Sequence, residues 1–378
     1  MRRMLVPAAA AVLTAALIVG CGDGDEPTGP APDQWYTEAV DTAGRTGLFT
    51  SIAVDGSDRP HLVYYNEFGP DNLKYAHYDG AQWQFAVIDA NTATSDLAPP
   101  VILVDRAGGS HVAFIDQTAD EVRYASELVN GWQVETVDGA GERFCALSMT
   151  STADGVPVIS YGKTISDSVA GLWLAVLDVQ ADAWEIAAID SGAAIVASSA
   201  AIDSQGLCHV AYIGNAGYPG FDLYYAVGSP GAWAIDTVVG DTTAWYQCSL
   251  GVTPDGEPQI AFNSVDPAGM AYAVKTETGW SIEVIDGAAL GPAPEMRTPD
   301  GEQLSLRLDA GGVPHLAYWS WADSSLVYAV RGTGWAAERA DNSGSVGAYC
   351  SLALDHQGRP HIAYQDRDRA DLKYAIKR

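Results

Sequence analysis

The chain has 378 residues, 48 of them acidic and 20 basic, for a net charge of −28 and a mean hydropathy of zero. A surface this acidic repels nucleic acid and anionic lipid, so neither is expected as an electrostatic partner. The length alone would allow two domains.

The N-terminus reads as an address. Arg2 and Arg3 precede an apolar run, Met4 to Gly20, and then Cys21. A charged start, a short apolar stretch and small residues at its end make a secretory signal over residues 1–20. The run is about 17 residues, at the bottom of the range for a spanning helix, so an uncleaved anchor is the competing reading. No later segment is long and apolar enough to span a bilayer. Leu17-Ile-Val-Gly-Cys21 resembles the lipobox of bacterial lipoproteins. The resemblance implies cleavage before Cys21, acylation of that cysteine, and a lipid-anchored place in the bacterial cell envelope. Gly22 rather than Asp after the cysteine favours the outer membrane or cell surface over the inner membrane, by resemblance to enterobacterial sorting rules. Residues 21–34 are polar and rich in Gly and Pro, a flexible tether. Removing residues 1–20 takes away both arginines and leaves a net charge near −30.

Beyond the tether one pattern runs to the end. Trp35, Trp83, Trp132, Trp184, Trp233, Trp280 and Trp335 stand 48, 49, 52, 49, 47 and 55 residues apart. Most open a similar phrase, such as Trp83-Gln-Phe-Ala-Val-Ile-Asp89 or Trp280-Ser-Ile-Glu-Val-Ile-Asp286. A period of this length, with four short strands per unit, signals a β-propeller. The expected fold is all-β: a seven-bladed β-propeller of four-stranded antiparallel blades, one domain over residues 35–378.

The last unit shows the grammar. Cys350 to Asp355 alternates as a first strand, His356 to Arg359 turns, Pro360 to Tyr364 reads as a second strand, and Leu372 to Ala375 as a third. No Trp phrase follows. Trp35–Asp41 is a Trp phrase with no three strands before it. The economical solution makes it the fourth strand of the last blade, which closes the ring and leaves no open edge.

Residues that recur in nearly every unit answer a need of every unit, and that need is packing. The seven tryptophans are expected to fill the space between neighbouring blades, each contributing ~1.5–3 kcal/mol by burial. His61, His111, His209, His315 and His361 share one place in the second strand, filled elsewhere by Val158 and Gln259. A structural hydrogen bond explains them better than a metal or a catalytic base. Cys145, Cys208, Cys248 and Cys350 form no CxxC and read as small buried hydrophobes, with a Cys145–Cys208 bond between adjacent blades left open.

Function is expected where the units differ. Stereotyped Asp-x-x-Gly-x-Pro turns, such as Asp309 to Pro314, occupy one face. The loops joining second to third strands, and one unit to the next, share the other face and vary. Just after the second strand stand Asn66, Asp116, Lys163, Gly214, Ser264, Ser320 and Asp366; at the second place of the third strand stand Lys74, Arg123, Trp173, Tyr224, Ala271, Val327 and Lys373. An acid or amide meets a base in the first, second and seventh blades, which ring closure makes neighbours. Arg45 and Arg143 border that sector. The candidate ligand-binding residues are therefore Asn66, Asp116, Lys163, Asp366, Arg45 and Arg143, as a charged pocket for a sugar or an anionic group. The plainer reading is three cross-strand pairs within blades, worth ~0–1 kcal/mol each if exposed. The junction from Gly287 to Gln303, with Pro292, Pro294 and Arg297, is long enough to overhang this face. Calcium is the competing reading for Asp366 to Asp371, which places three carboxylates in six residues, but the stretch lacks the glycine and distal glutamate of an EF-hand loop, so no cofactor is expected beyond a structural Ca2+ there.

The repeat Ser-Leu-Ala-Leu-Asp-x-x-Gly-x-Pro-His-Ile-Ala-Tyr, read at residues 351–364, resembles propeller repeats of bacterial and archaeal surface proteins. The architecture is similar to sialidase-like and fucose-lectin-like propellers. The resemblance covers residues 35–378 as repeat grammar. The sialidase Asp-box, Ser-x-Asp-x-Gly-x-x-Trp, is absent, and the lectin's Arg, Glu and Trp set is not reproduced, so no catalytic residue is carried over. The expected function is a membrane-tethered extracytoplasmic binding or scaffolding module for protein or glycan, acting as a monomer. The alternative is a carbohydrate-active hydrolase or lyase. A glycosidase needs two carboxylates ~5–9.5 Å apart, and Asp116 with Asp366 is the first pair to inspect.

Overall fold

The computed structural model of the chain describes residues 33–67, 73–90, 92, 98–166, 169–192, 194–214, 221–287 and 304–378. The signal sequence, Cys21, most of the tether and Arg297 lie outside them. Among the described residues the chain forms 27 strands, all paired antiparallel.

The first strand, β1 (Trp35–Asp41), does not pair with the strand that follows it. Strands β2 (Leu48–Val54), β3 (Pro60–Tyr65), β4 (Leu73–Tyr78) and β5 (Trp83–Asp89) form a meander. So do β6 (Val101–Val104), β7 (Ser110–Asp116), β8 (Glu121–Leu128) and β9 (Gly131–Asp138), and then β10 (Arg143–Ser151), β11 (Pro157–Ser166), β12 (Val169–Asp178) and β13 (Ala183–Ser191). A seven-stranded sheet follows: β14 (Ile195–Ile202), β15 (Cys208–Gly214), β16 (Phe221–Ser229), β17 (Ala232–Val252), β18 (Pro258–Val265), β19 (Ala268–Thr276) and β20 (Gly279–Asp286). Strands β21 (Leu304–Leu308), β22 (Pro314–Ser320), β23 (Ser325–Arg331) and β24 (Trp335–Asp341) make another four-stranded sheet. The last, β25 (Val346–Leu354), β26 (Pro360–Asp366) and β27 (Asp371–Lys377), takes β1 as its fourth strand, from Trp35 opposite Lys377 to Asp41 opposite Leu372.

The four-stranded grammar thus holds in five sheets and changes in one. The 21-residue strand β17 serves as last strand of the fourth repeat and first strand of the fifth. The stretch around Ala244 stays extended, with Ala244 paired to Phe221 on one side and to Ser264 on the other, so no loop separates the two units.

First strands pack on first strands. β2 lies against β25 and β6, β10 against β6 and β14, β17 against β14 and β21, and β25 against β21. A serine stitches most of these contacts. The Oγ atoms of Ser51, Ser148, Ser199, Ser249, Ser305 and Ser351 accept the backbone N–H of Ile102, Ala200, Leu250, Leu306, Leu352 and Ile52 at 2.9–3.3 Å. These N–H groups belong to the sheet edge that would otherwise be unpaired. Val101 takes the serine's place in the second repeat.

The tryptophans fill the gaps between sheets, as their period predicts. Trp83 meets the Tyr374 ring edge-on at 5.4 Å, and Trp132 meets Tyr75, Trp184 Tyr124, Trp280 Tyr225, Trp335 Tyr272 and Trp35 Tyr328 in the same way. The facing tyrosine is in turn held by the recurring histidine. The Tyr75, Tyr225 and Tyr374 hydroxyls each lie 2.6 Å from the Nδ1 of His61, His209 and His361. His111 and His315 hold Tyr124 and Tyr328 alike. In the fifth repeat Gln259 accepts the Tyr272 hydroxyl at 2.6 Å; in the third, Val158 and Leu174 replace both polar partners together. On the far side of each imidazole the turn aspartate approaches Nε2, at 3.1 Å for Asp203 and His209. Its other oxygen caps the turn: Asp55 Oδ1 accepts N–H groups from Ser57 and Arg59. The histidines are structural, as expected.

The four described cysteines are free and buried or partly so, and burial pushes their thiols up, Cys145 to about 11 and Cys208, Cys248 and Cys350 to about 12. The Cys145–Cys208 bond left open by the sequence is not formed.

Candidate functional site

On the variable face, the aspartate that ends six of the seven Trp phrases reaches the next repeat. Asp41 Oδ2 accepts the Tyr64 hydroxyl and Lys74 Nζ, both at 2.6 Å, while Oδ1 accepts the Ala43 N–H at 2.9 Å. Asp138 accepts Tyr161 and Lys163 at 2.7 Å and the Ala140 N–H at 2.9 Å. Asp341 accepts Tyr364 at 2.6 Å, Lys373 at 2.5 Å and the Ser343 N–H at 2.9 Å. In each, burial works to raise the carboxyl, and the hydrogen bonds from lysine, tyrosine and backbone outweigh it, so all three stay below the ordinary range. These are ion pairs on buried carboxylates whose oxygens are taken up by several donors, and they lock one repeat to the next. In the second repeat Phe114 replaces the tyrosine, and Arg123 reaches Asp89 at 3.2 Å instead.

This corrects the pairing drawn from the sequence. Lys74 and Lys373 do not pair with Asn66 and Asp366 across their own hairpins; their partners, Asp41 and Asp341, come from the preceding Trp phrase. Only Asp116 keeps its cross-strand base, with Arg123 at 3.0 Å. Lys163 joins the set from a different strand, so the sector runs through four consecutive repeats, the seventh, first, second and third, rather than three.

The structure places the six candidates as follows. Asn66, Asp116, Lys163 and Asp366 are buried. Asp116 also accepts the Thr118 N–H at 2.9 Å. Asp366 accepts the N–H groups of Asp368 and Arg369 at 3.1 Å and the Arg369 guanidinium at 2.8 Å. Arg45 forms an exposed pair with Glu67, and its neighbour Thr46 is bound to the last repeat by Ala370 and Gln365. Arg143 is exposed and has no ion pair among the described residues. Asp116 and Asp366 are each committed to a base and to backbone donors, which leaves neither free to act with the other on a sugar. Asp371, paired across the hairpin with Asp366, is raised, first by burial and then by the Asp366 charge.

The other half of the face has a different chemistry. In the fifth repeat Val239 and Phe262 stand where aspartate and tyrosine stand elsewhere, and Ala271 stands where the lysine would. A cavity of about 370 Å³ opens there, lined by Val239, Phe262, Ala271, Ile282 and Val284, with Asp266 at its edge. Trp245 stacks edge-on against Tyr246 at 4.9 Å, and Tyr246 against Phe221 at 5.0 Å. In the sixth repeat Trp319 and Trp321 lie 4.8 Å apart, the Arg367 guanidinium sits 4.9 Å from the Trp319 ring, and Trp321 is 36% exposed. Arg339, on β24, pairs with Asp323 in the loop that holds Trp321. The indole N–H groups of Trp245 and Trp319 are buried with no hydrogen-bond partner among the described residues. Sequence reasoning assigned seven tryptophans to packing and passed over Trp245, Trp319 and Trp321. Their departure from the period was the available signal.

No family model and no curated protein matches the chain. Solved structures do. The polysaccharide lyase Uly1 superposes with a TM-score of 0.57 at 11% identity over 93% of this chain and 93% of that one. AofleA from Arthrobotrys oligospora gives 0.52 at 13% identity, over 83% of this chain and 91% of its own. The Aleuria aurantia lectin, described as a six-bladed β-propeller with a fucose recognition mode, gives 0.50 at 12%, over 78% of this chain and 95% of its own. At these identities the likeness is one of fold: an all-β, propeller-like set of antiparallel sheets.

Proposed function

We propose that the chain is a closed seven-bladed β-propeller whose aromatic sector binds glycan. Seven Trp phrases, the β1–β27 ladder and the contacts of β25 with both β21 and β2 support the closed ring. The six-bladed lectin covers nearly all of itself but 78% of this chain, which leaves length for a further repeat.

One observation carries the ligand class: Trp321, exposed beside Trp319, with Arg367 and the Arg339–Asp323 pair nearby. An indole face offers an apolar platform to the C–H side of a sugar ring, while guanidinium and carboxylate groups reach its hydroxyls. The Aleuria aurantia lectin has been solved with Fucα1-6GlcNAc, and a polysaccharide lyase shares the fold, which supports glycan over protein as the ligand.

A glycan array probed with the purified protein tests this. Saturable binding to one glycan class, lost in Trp321→Ala with the melting temperature kept, is the expected result; no retained glycan, or an indifferent Trp321→Ala, overturns it. The hydrolase or lyase reading draws on the fold shared with a polysaccharide lyase, with Asp371, which faces Asp366 across the hairpin and is raised by burial and by that charge, as its first candidate acid. Cleavage of the bound glycan, abolished by Asp371→Asn, would move the assignment to that class.

We also propose that acylated Cys21 tethers the ring to the bacterial envelope, through residues outside those described. Cys21→Ser should release the protein into the soluble fraction, and continued membrane association would refute the anchor.

A further inference from the structure

The first strands of all seven repeats surround a central channel, with a cavity of about 130 Å³ lined by residues from each. One charged side chain stands in that lining. At the strand place occupied elsewhere by Ala53, Leu103, Thr150, Ala201, Gly251 and Ala353, the sixth repeat carries Arg307. Nothing in the repeat grammar asks for it.

Arg307 is poorly satisfied. Its one hydrogen bond among the described residues runs from Nη1 to the Leu306 carbonyl, 2.8 Å away, and no described carboxylate forms an ion pair with it. Burial pulls its pKa down, and no acidic neighbour offsets that effect. A guanidinium has five N–H donors in a fixed fork. Partly buried in the lining, the guanidinium has one hydrogen bond and donors to spare, and a chain this acidic would be expected to supply a carboxylate if the site were self-contained.

The surroundings offer donors. Each of the six stitching serines accepts a backbone N–H at Oγ, which leaves its hydroxyl hydrogen available for another acceptor. The cavity holds several times the ~30 Å³ share of one water molecule. It suits a small, compact acceptor of negative charge.

We propose that the channel is a binding site for a small oxyanion (sulfate, phosphate or a carboxylate) held by the Arg307 fork and the serine hydroxyls around it. Arg matches such groups bidentately. The site is separate from Trp321, so Trp321→Ala should leave it intact.

Calorimetric titration of the full protein with sodium sulfate, and separately with sodium acetate, at constant ionic strength tests it. Saturable one-to-one binding to the wild type is expected for at least one of them. Arg307→Ala should abolish that binding and also remove the anion-dependent rise in melting temperature. If Arg307→Ala does not fold, Arg307→Lys keeps the charge but not the fork and should bind at least about tenfold more weakly. No saturable binding to the wild type, or equal binding by the wild type and the Arg307 variant that folds, overturns the proposal.

Discussion

Two halves of one face solve the same problem differently. From the seventh repeat through the third, each repeat is locked to the one before it by a carboxylate that a base neutralises; in three of the four the carboxylate is buried and a tyrosine donates as well. At the fifth, Val239, Phe262 and Ala271 do the same job with apolar contacts, and a cavity and a cluster of extra aromatics appear beside them. Where polar groups are used up on one another, the surface has little left to offer a ligand. Where the base is missing, as at Ala271 and Val327, aromatic side chains outside the repeat stand on the face instead, Trp321 among them exposed. The charged sector attracts notice in the sequence because charges are conspicuous, yet a carboxylate already taken up by a base and by other donors is a poor binding group.

The largest test removes the sector's closing strand. Deleting residues 33–42 takes away Trp35, the ladder to β27 and the Asp41 partner of Lys74 and Tyr64. The loss should consume most of the ~5–15 kcal/mol that separates a folded domain from its unfolded state. A melting temperature near that of the wild type would mean that the ring does not depend on β1.

A second test asks whether the two solutions are interchangeable. Lys373→Met leaves Asp341 buried without its cation and should cost about 3–5 kcal/mol in a urea melt. The triple variant Asp341→Val, Tyr364→Phe, Lys373→Ala copies the fifth repeat and should regain more than half of that loss. If the triple variant is no more stable than Lys373→Met, the apolar version works only in its own surroundings, and the comparison between the halves fails.

Much of this fold is legible in the sequence because a repeat states each packing rule seven times. The Trp period, the turn glycines and the five histidines need no long-range information to interpret. Even the pairing of β1 with β27 could be inferred, since Trp35–Asp41 is a Trp phrase without three strands before it and the last repeat is three strands without a Trp phrase after them. The site is a different matter. Lys74 and Asn66 are close in the chain and suggest a pair, but Asp41 reaches Lys74 because sheets stack face to face, and stacking is invisible to a reading made one hairpin at a time. The serine at six of seven first strands was visible as a pattern, yet its purpose appears only when the neighbouring strand edge is in place. Arg307 and Trp321 break the repeat singly; the departure from the period marks them as exceptions, but only the folded neighbours show what each exception faces.

The smallest test returns to a feature common to both halves. His361 is buried against Tyr374, with Asp355 3.4 Å from Nε2 and Arg359 and Asp58 nearby. Burial lowers its pKa below 6.5, against the pull of Asp355. Above pH ~6.5 the imidazole is neutral in both folded and unfolded chains and adds no pH dependence. As pH falls below that value, the unfolded chain takes up a proton that the folded one refuses, so stability declines until the folded pKa is reached. His61 and His315, lowered for the same reason, steepen the decline. Asp55, held to about 2 against burial by its bonds from Arg59, adds a separate loss between about 4 and 2. Gln259 shows that glutamine fits this place and still accepts the tyrosine hydroxyl. His361→Gln should therefore match the wild type near pH 8, lose less melting temperature between pH 6.5 and 5, and keep the Asp55 limb unchanged. An identical slope in that window would mean that His361 is protonated in the folded ring, and that Asp355, rather than burial, governs it.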